Sequence, residues 1–158
     1  MPHVTVSLQP LSTSSWEEAA RLEVLPEQAE FIESNLWSIA ELQFYPSLSG
    51  YTIHAQGKMV GFLVWGLSPD DSRPWLYRFM IDRRFQGQGY GRAALERLID
   101  HVQREGANEL WVGYHRDNTT AARLYLSLGF DPQGLAPWGE HMACLDFQRL
   151  KAPGWQPR

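Results

Sequence analysis

Six residues, Gln86-Gly87-Gln88-Gly89-Tyr90-Gly91, restrict this chain more than any other stretch of it. They stand between an extended apolar run, Trp75-Leu76-Tyr77-Arg78-Phe79-Met80-Ile81, and a segment carrying Leu95, Leu98, Ile99 and Val102 at helical spacing. A glycine-rich turn from strand into helix leaves several backbone N–H groups converging at the helix N-terminus. The helix dipole favours negative charge at the same place. Glycine reaches unusual backbone angles and lets a ligand approach with no Cβ in the way. Arg83, Arg84 and Arg92 surround the turn, and their guanidinium forks suit phosphate oxygens. A plain strand-to-helix connector is the alternative for three glycines alone; the flanking elements and arginines favour a diphosphate site. The turn lacks the Gly-Lys-Ser/Thr ending of a nucleoside-triphosphate loop. It also follows several strands, whereas a dinucleotide fold carries its turn after the first.

The rest of the chain reads as alternating elements. Val4 to Leu8 alternates and predicts a strand. Ser15 and Glu18 form a capping-box pattern that opens a short helix through Leu22. Pro26 suits the first turn of a second helix, with Ile32, Leu36, Ile39 and Ala40 on its apolar side, ending before Pro46. Tyr51 to Ala55 and Met59 to Trp65, joined at Gln56-Gly57-Lys58, read as a hairpin. In the Trp75–Ile81 strand every odd position is apolar or aromatic, which predicts one well-buried face. Arg92 to Glu105 is helical, Leu110 to Tyr114 a strand, and a last helix runs from about Asn118 to Gly129, which can supply a left-handed cap. Two closing strands follow Phe130 and reach about Phe147. This order predicts an α/β domain around one mixed central sheet with about four helices, spanning residues 1–150. The Pro/Gly-containing tail, residues 151–158, reads as a frayed end.

Composition narrows the function classes. A chain of 158 residues fits one domain, and 44% hydrophobic content supplies its core. With 20% charged residues it is neither a disordered nor a supercharged protein. No window approaches the ~20 consecutive apolar residues of a membrane span, and Met1 to Val6 lacks the pattern of a signal peptide. Cys144 is the only cysteine, so an internal disulfide is excluded and a cytoplasmic location is expected. A net charge of −4 argues against nucleic acid as a partner. His54, His101, His115 and His141 show no metal-ligand spacing, and no metal is expected.

Two stretches carry a resemblance. Gln86-x-x-Gly89-x-Gly91 is similar to the Gln/Arg-x-x-Gly-x-Gly/Ala signature of the GNAT superfamily of acyl-CoA transferases. Asn118-x-x-Ala121-x-x-Leu124-Tyr125-x-x-Leu128-Gly129-Phe130 resembles that superfamily's downstream helix and following strand. Within it, Pro26-Glu27-Gln28, Ser38-Ile39-Ala40-Glu41, Phe44-Tyr45-Pro46 and Tyr77 to Asp82 look most like bacterial spermidine/spermine N-acetyltransferases. The resemblance implies a sheet splayed at the cofactor site and acetyl-CoA as co-substrate. It implies cofactor contacts from Phe79, Met80, Ile81, Gln86, Gly87, Gln88, Gly89, Tyr90, Gly91, Arg92 and Asn118. It also implies that Tyr125 protonates the departing sulfur. By its residues alone, Tyr125 reads more readily as a core aromatic and Asn118 as an N-cap.

Acetyl transfer to an amine requires loss of the ammonium proton, donors for the oxyanion and a proton for the leaving thiolate. Glu41 stands first among candidate bases, with Glu33, Glu140 and a water chain as rivals. Cys144 reads as a small buried hydrophobe, so direct attack in a ternary complex is expected. Between Pro26 and Tyr45 there is no Lys or Arg, while Glu27, Glu30, Glu33 and Glu41 would share one side of a continuous helix with Trp37. With Glu140, these carboxylates would suit a small polyamine, which can also rest on an aromatic face. A protein N-terminus, an aminoglycoside, a small metabolite and a non-catalytic acyl-CoA sensor are the alternatives. The Trp-rich composition also admits a homodimer.

Overall fold

Gln56 and Gly57 both adopt positive φ, 51° and 76°, and the pair closes the expected hairpin with a turn whose twist matches its strands. From that hairpin the sheet spreads in both directions. The structure, a computed structural model, describes residues 4–150; the expected tail lies outside them. Its elements are β1 (Ser7–Pro10), α1 (Trp16–Arg21), α2 (Asn35–Glu41), β2 (Leu48–Ala55), β3 (Lys58–Leu67), β4 (Pro74–Ile81), α3 (Tyr90–Arg104), β5 (Glu109–Tyr114), α4 (Thr119–Ser127), β6 (Asp131–Leu135), β7 (His141–Asp146) and α5 (Phe147–Leu150). Short 3-10 turns lie at Pro26–Gln28 and Arg83–Phe85. The seven strands form one sheet in the order β1-β2-β3-β4-β5-β7-β6. Every neighbouring pair is antiparallel except β4 and β5. No helix among the described residues is long and apolar enough to cross a membrane.

One face of the sheet packs under α3 and α4 through Leu63, Leu76, Leu95, Leu98, Val112, Tyr125 and Phe130. The other carries α1 and α2 over Phe62, Val64 and Met80. A third cluster, Trp75, Trp111 and Cys144, lies further along the sheet.

Four local expectations are corrected. The first strand begins at Ser7 rather than Val4, because its partner β2 turns away after Ala55, just past the Ser7–His54 pair. Ser15 caps α1 without a side-chain bond; its hydroxyl instead accepts from Ser12 N–H at 3.0 Å, so the capping box does not form. The helix expected from Pro26 is interrupted. Ser34 accepts from Trp37 N–H at 3.1 Å and starts α2 afresh. The buried Asn35 fixes that start by donating to Ala19 C=O at 2.9 Å. Leu36, expected to be buried, is 57% exposed.

The fourth concerns β4. Val64 pairs with Arg78 while its neighbour Trp65 pairs with Leu76, so Tyr77 is an extra residue without a partner on β3. Such a bulge reverses the alternation of side chains. Phe79 and Ile81 consequently join Leu76 on the α3 side, and Tyr77 joins Met80 on the α2 side. β4 pairs with β5 only at Trp75–Trp111 and Leu76–Val112; beyond the bulge the strands part.

Across β3, Gly61 makes this arrangement possible. A Cβ there would stand 2.5 Å from Met80 C=O and 2.9 Å from Ile81 Cδ1. Gly61→Ala is therefore expected to destabilise the fold by about 1–3 kcal/mol, read as a lower midpoint in urea. An unchanged midpoint would show that β3 and β4 can separate freely.

Candidate active site

The glycine-rich turn folds as its residues require. Gly87 and Gly89 have φ of 76° and 86°, in the left-handed region, and Gly89 is the N-cap of α3. The first bond into the helix runs from Ala93 N–H to Gly89 C=O at 3.2 Å. Ahead of it, the N–H groups of Gly87 to Arg92 donate to no group among the described residues. Six free donors at the positive end of a 15-residue helix can hold a diphosphate. Gln86 is turned inward. Its amide nitrogen donates to Ile81 C=O at 2.8 Å and to Gln28 Oε1 at 2.9 Å, and Gln28 returns a bond at 3.1 Å. It fixes the turn to β4 and to the Pro26–Gln28 segment.

The three arginines are not equally available. Arg84 pairs with Asp82 at 2.8 Å. Arg92 hydrogen-bonds Ser127 and lies 4.0 Å from Glu96. The Arg83 side chain has no ion-pair partner among the described residues. Asp82 and Gln28 were invisible as site residues in the sequence. Asp82 is 3% exposed and accepts from the Glu23 and Arg84 backbones as well as from the Arg84 side chain. Burial alone would raise its pKa; these bonds outweigh it and hold the carboxyl below its ordinary value.

The turn, the gap and α4 converge. The Cβ position of Gly91 lies 3.7–3.8 Å from Leu124, Ile81 and Phe79. Asn118 caps α4, accepting from Ala121 N–H at 3.2 Å. Tyr125, one turn of helix beyond Ala121, is 8% exposed, with its ring 5.8 Å from Tyr114 and 5.5 Å from Phe130. Its hydroxyl has no hydrogen-bond partner among the described residues. Burial first, then Glu140 and Tyr114, push its pKa well above the ordinary phenol value, so it stays protonated at neutral pH. Such a hydroxyl can serve as a proton donor.

On the opposite face the expected glutamates disperse. Glu33 lies in the exposed turn before α2, and Glu27 in the 3-10 turn. Glu27, Glu30 and Glu33 therefore do not share a helix with Glu41, and the acidic face does not form. Glu41 ends α2 with its carboxylate 3.1 Å from Arg78 of β4, both groups about one-fifth exposed. Trp37 is 58% exposed on α2. Asp71 accepts from Trp75 Nε1 at 3.3 Å and from Arg73 N–H at 2.9 Å. Glu140, just before β7, accepts from Trp138 Nε1 at 2.6 Å. Its Oε1 is 3.7 Å from the Cβ position of Gly113 at the end of β5.

Cys144 donates to Glu109 at 3.3 Å. Burial, with that bond, pushes its pKa up to about 12, which leaves a protonated, weakly nucleophilic thiol.

Known proteins resemble this chain in sequence and in fold. The acetyltransferase (GNAT) family profile matches residues 14–130. A spermine/spermidine N(1)-acetyltransferase of Bacillus subtilis is 32% identical over 123 residues, covering 72% of this chain and 79% of that protein. A [Ribosomal protein bS18]-alanine N-acetyltransferase of Escherichia coli is 36% identical over 81 residues, 51% of this chain and 53% of that one. Among solved structures, a ribosomal L7/L12 alpha-N-protein acetyltransferase in complex with coenzyme A has the same fold, with a TM-score of 0.70 at 20% identity over 90% of this chain and 94% of that one. The chain belongs to the acetyltransferase (GNAT) family and is an N-acetyltransferase whose co-substrate is acetyl-CoA.

Proposed function

We propose that this enzyme acetylates a primary amine of a small cationic chain of the spermidine or spermine type. The observation that carries the acceptor is the likeness to the Bacillus spermine/spermidine enzyme over 72% of this chain. An exposed indole and a carboxylate at the sheet's opening, Trp138 and Glu140, agree with an ammonium-bearing substrate. The likeness to the bS18-alanine enzyme favours a second reading, a protein N-terminal amine.

In this reading each part of the site has one task. The N–H groups of Gly87 to Arg92 hold the pyrophosphate of acetyl-CoA, and Gln86 holds the turn. The edge of β4 from Phe79 to Ile81, unpaired beyond the bulge, offers backbone groups to the amides of the pantetheine arm, as a strand edge receives an extended ligand. Asn118 sets the start of α4, which carries Tyr125 to the gap. Tyr125 gives its proton to the departing sulfur. Glu41 is already neutralised by Arg78 and serves, with Trp37, as a wall of the acceptor groove rather than as the base. Residues 1–150 form the catalytic domain, and the single free thiol accords with the cytoplasm.

Gly89→Val is expected to abolish acetyl-CoA binding in a calorimetric titration, because a branched side chain strains φ 86° and covers the free donors; a wild-type affinity would remove the turn from the site. Tyr125→Phe should lower kcat by ~10²-fold or more with little change in KM for the amine. A near-normal kcat would make Tyr125 a packing residue. CoA release should be fastest with spermine or spermidine among amines that include an N-terminal alanine peptide and an aminoglycoside. Preference for the peptide would replace the polyamine reading with the second one.

A further inference from the structure

Most carboxylates near the gap are already committed. Glu41 is paired with Arg78, Asp82 with Arg84, and Asp71 holds Trp75 and the Arg73 backbone. Glu140 differs. Like Asp71 it has no cation within ion-pairing distance among the described residues, but both Asp71 oxygens accept hydrogen bonds whereas Glu140 Oε2 accepts none among them. Its carboxylate is nevertheless fixed in place. Trp138 Nε1 donates to Oε1 at 2.6 Å, while Glu140 C=O accepts from Ala136 N–H at 2.7 Å and Gly139 N–H bonds Ala136 C=O at 2.9 Å. These bonds close the loop between β6 and β7 and leave the half-buried carboxylate over the end of β5.

Alternation along β5 defines which face that is. Leu110, Val112 and Tyr114 point to the core that holds Tyr125. Trp111 and Gly113 point to the other face, beside Trp75. The Cβ position of Gly113 is 3.7 Å from both Glu140 Oε1 and the Trp75 ring. With no side chain at 113, the carboxylate rests at van der Waals distance from the position a Cβ would take. Glu140 and Tyr125 thus lie on opposite faces of the sheet, at the end of β5 where β4 has departed. The two are close enough for the charge of Glu140 to act on the Tyr125 phenol.

On the reading of this site as an amine acetyltransferase, we propose that Glu140 is its general base, taking the proton of the acceptor ammonium, with Trp138 as its positioning residue. The steps balance. Glu140 accepts one proton from the ammonium and later releases it to solvent. The freed lone pair of the amine forms the C–N bond at the acetyl carbonyl carbon as the π pair moves to oxygen. When that pair returns, the C–S bond breaks with its electrons on sulfur, and Tyr125 O–H supplies the thiol proton. The second proton on nitrogen then restores the Tyr125 hydroxyl.

The titratable and charged groups around Glu140 are Tyr125 of α4, Tyr114 of β5 and His141 of β7, whose ring stacks on Tyr114 at 5.8 Å. Arg73 lies over Trp111 at 4.4 Å, with Asp71 beside Trp75.

The test is the pH dependence of kcat for Glu140→Gln, a variant that keeps an acceptor for Trp138 and should melt with the wild type. With spermidine as acceptor, kcat should fall ~10²-fold or more near neutrality. KM should be little changed, and the deficit should shrink as pH approaches the ~10.4 of a free alkylamine, where the amine deprotonates unaided. His141→Gln should leave the wild-type profile in place. A kcat within about threefold of wild type would overturn the proposal, as would a deficit that stays constant with pH, a loss confined to KM, or a profile that follows His141. In each of those cases wild-type turnover leaves the acetyltransferase reading intact. Wild-type protein that binds acetyl-CoA but releases no CoA with any amine would instead overturn the reading itself.

Discussion

The parting of β4 from β5 is the constraint on which the rest of the molecule depends. Parallel strands that start in register at Trp75–Trp111 and Leu76–Val112 would normally continue to pair. Here the extra residue Tyr77 turns β4 toward β3, which stays in register from Arg78 to Ile81. On the other side β5 is held along its length by β7, from Glu109–Asp146 to Tyr114–His141. Each strand keeps a partner along its outer edge, while the inner-edge backbone groups beyond Leu76 and Val112 face the gap without a strand partner. The absence of a side chain at Gly61 allows β3 to stay close to the bent strand.

Once the gap exists, its surroundings follow. α3 begins at its mouth because the turn after β4 is short and glycine-rich, and the amides at that helix end have no partner among the described residues. α4 packs on the same side and brings a protonated phenol to the end of β5. The loop before β7 brings a carboxylate to the same end from the opposite face. A buried phenol, a half-buried carboxylate and a helix end with free amides thereby surround one opening without sharing an element. The nearby charges that could interfere are neutralised locally: Glu41 by Arg78, and Asp82 by Arg84 and two backbone amides.

Polar bonds of long sequence separation hold these parts at fixed distances. Gln28 and Gln86, 58 positions apart, exchange amide hydrogen bonds. Glu23 N–H reaches Asp82 across 59 positions, and Asn35 reaches Met80 Sδ across 45. Together they fasten the segment between α1 and α2 to the start of the glycine-rich turn. Phe31 of that segment also meets His115, past the end of β5, with ring centroids 5.2 Å apart.

What the sequence determined by itself is what depends on neighbours a few residues away. The turn at Gln56-Gly57, the glycine-rich entry to α3, the Asn118 cap and the left-handed Gly129 are all satisfied within one helical turn or one hairpin, and the residues that perform them are legible in order. The same locality misled at Ser15 and in the long stretch after Pro26, where periodicity was correct in type but competing contacts to Ser12, Ala19 and Trp37 chose the boundaries. Only the tertiary structure decided which carboxylates are free. Arg78 came to Glu41 across 37 positions, and Glu140 came to the empty side of Gly113, because strand register and a single bulge set those distances, and neither is written in any local pattern of residues.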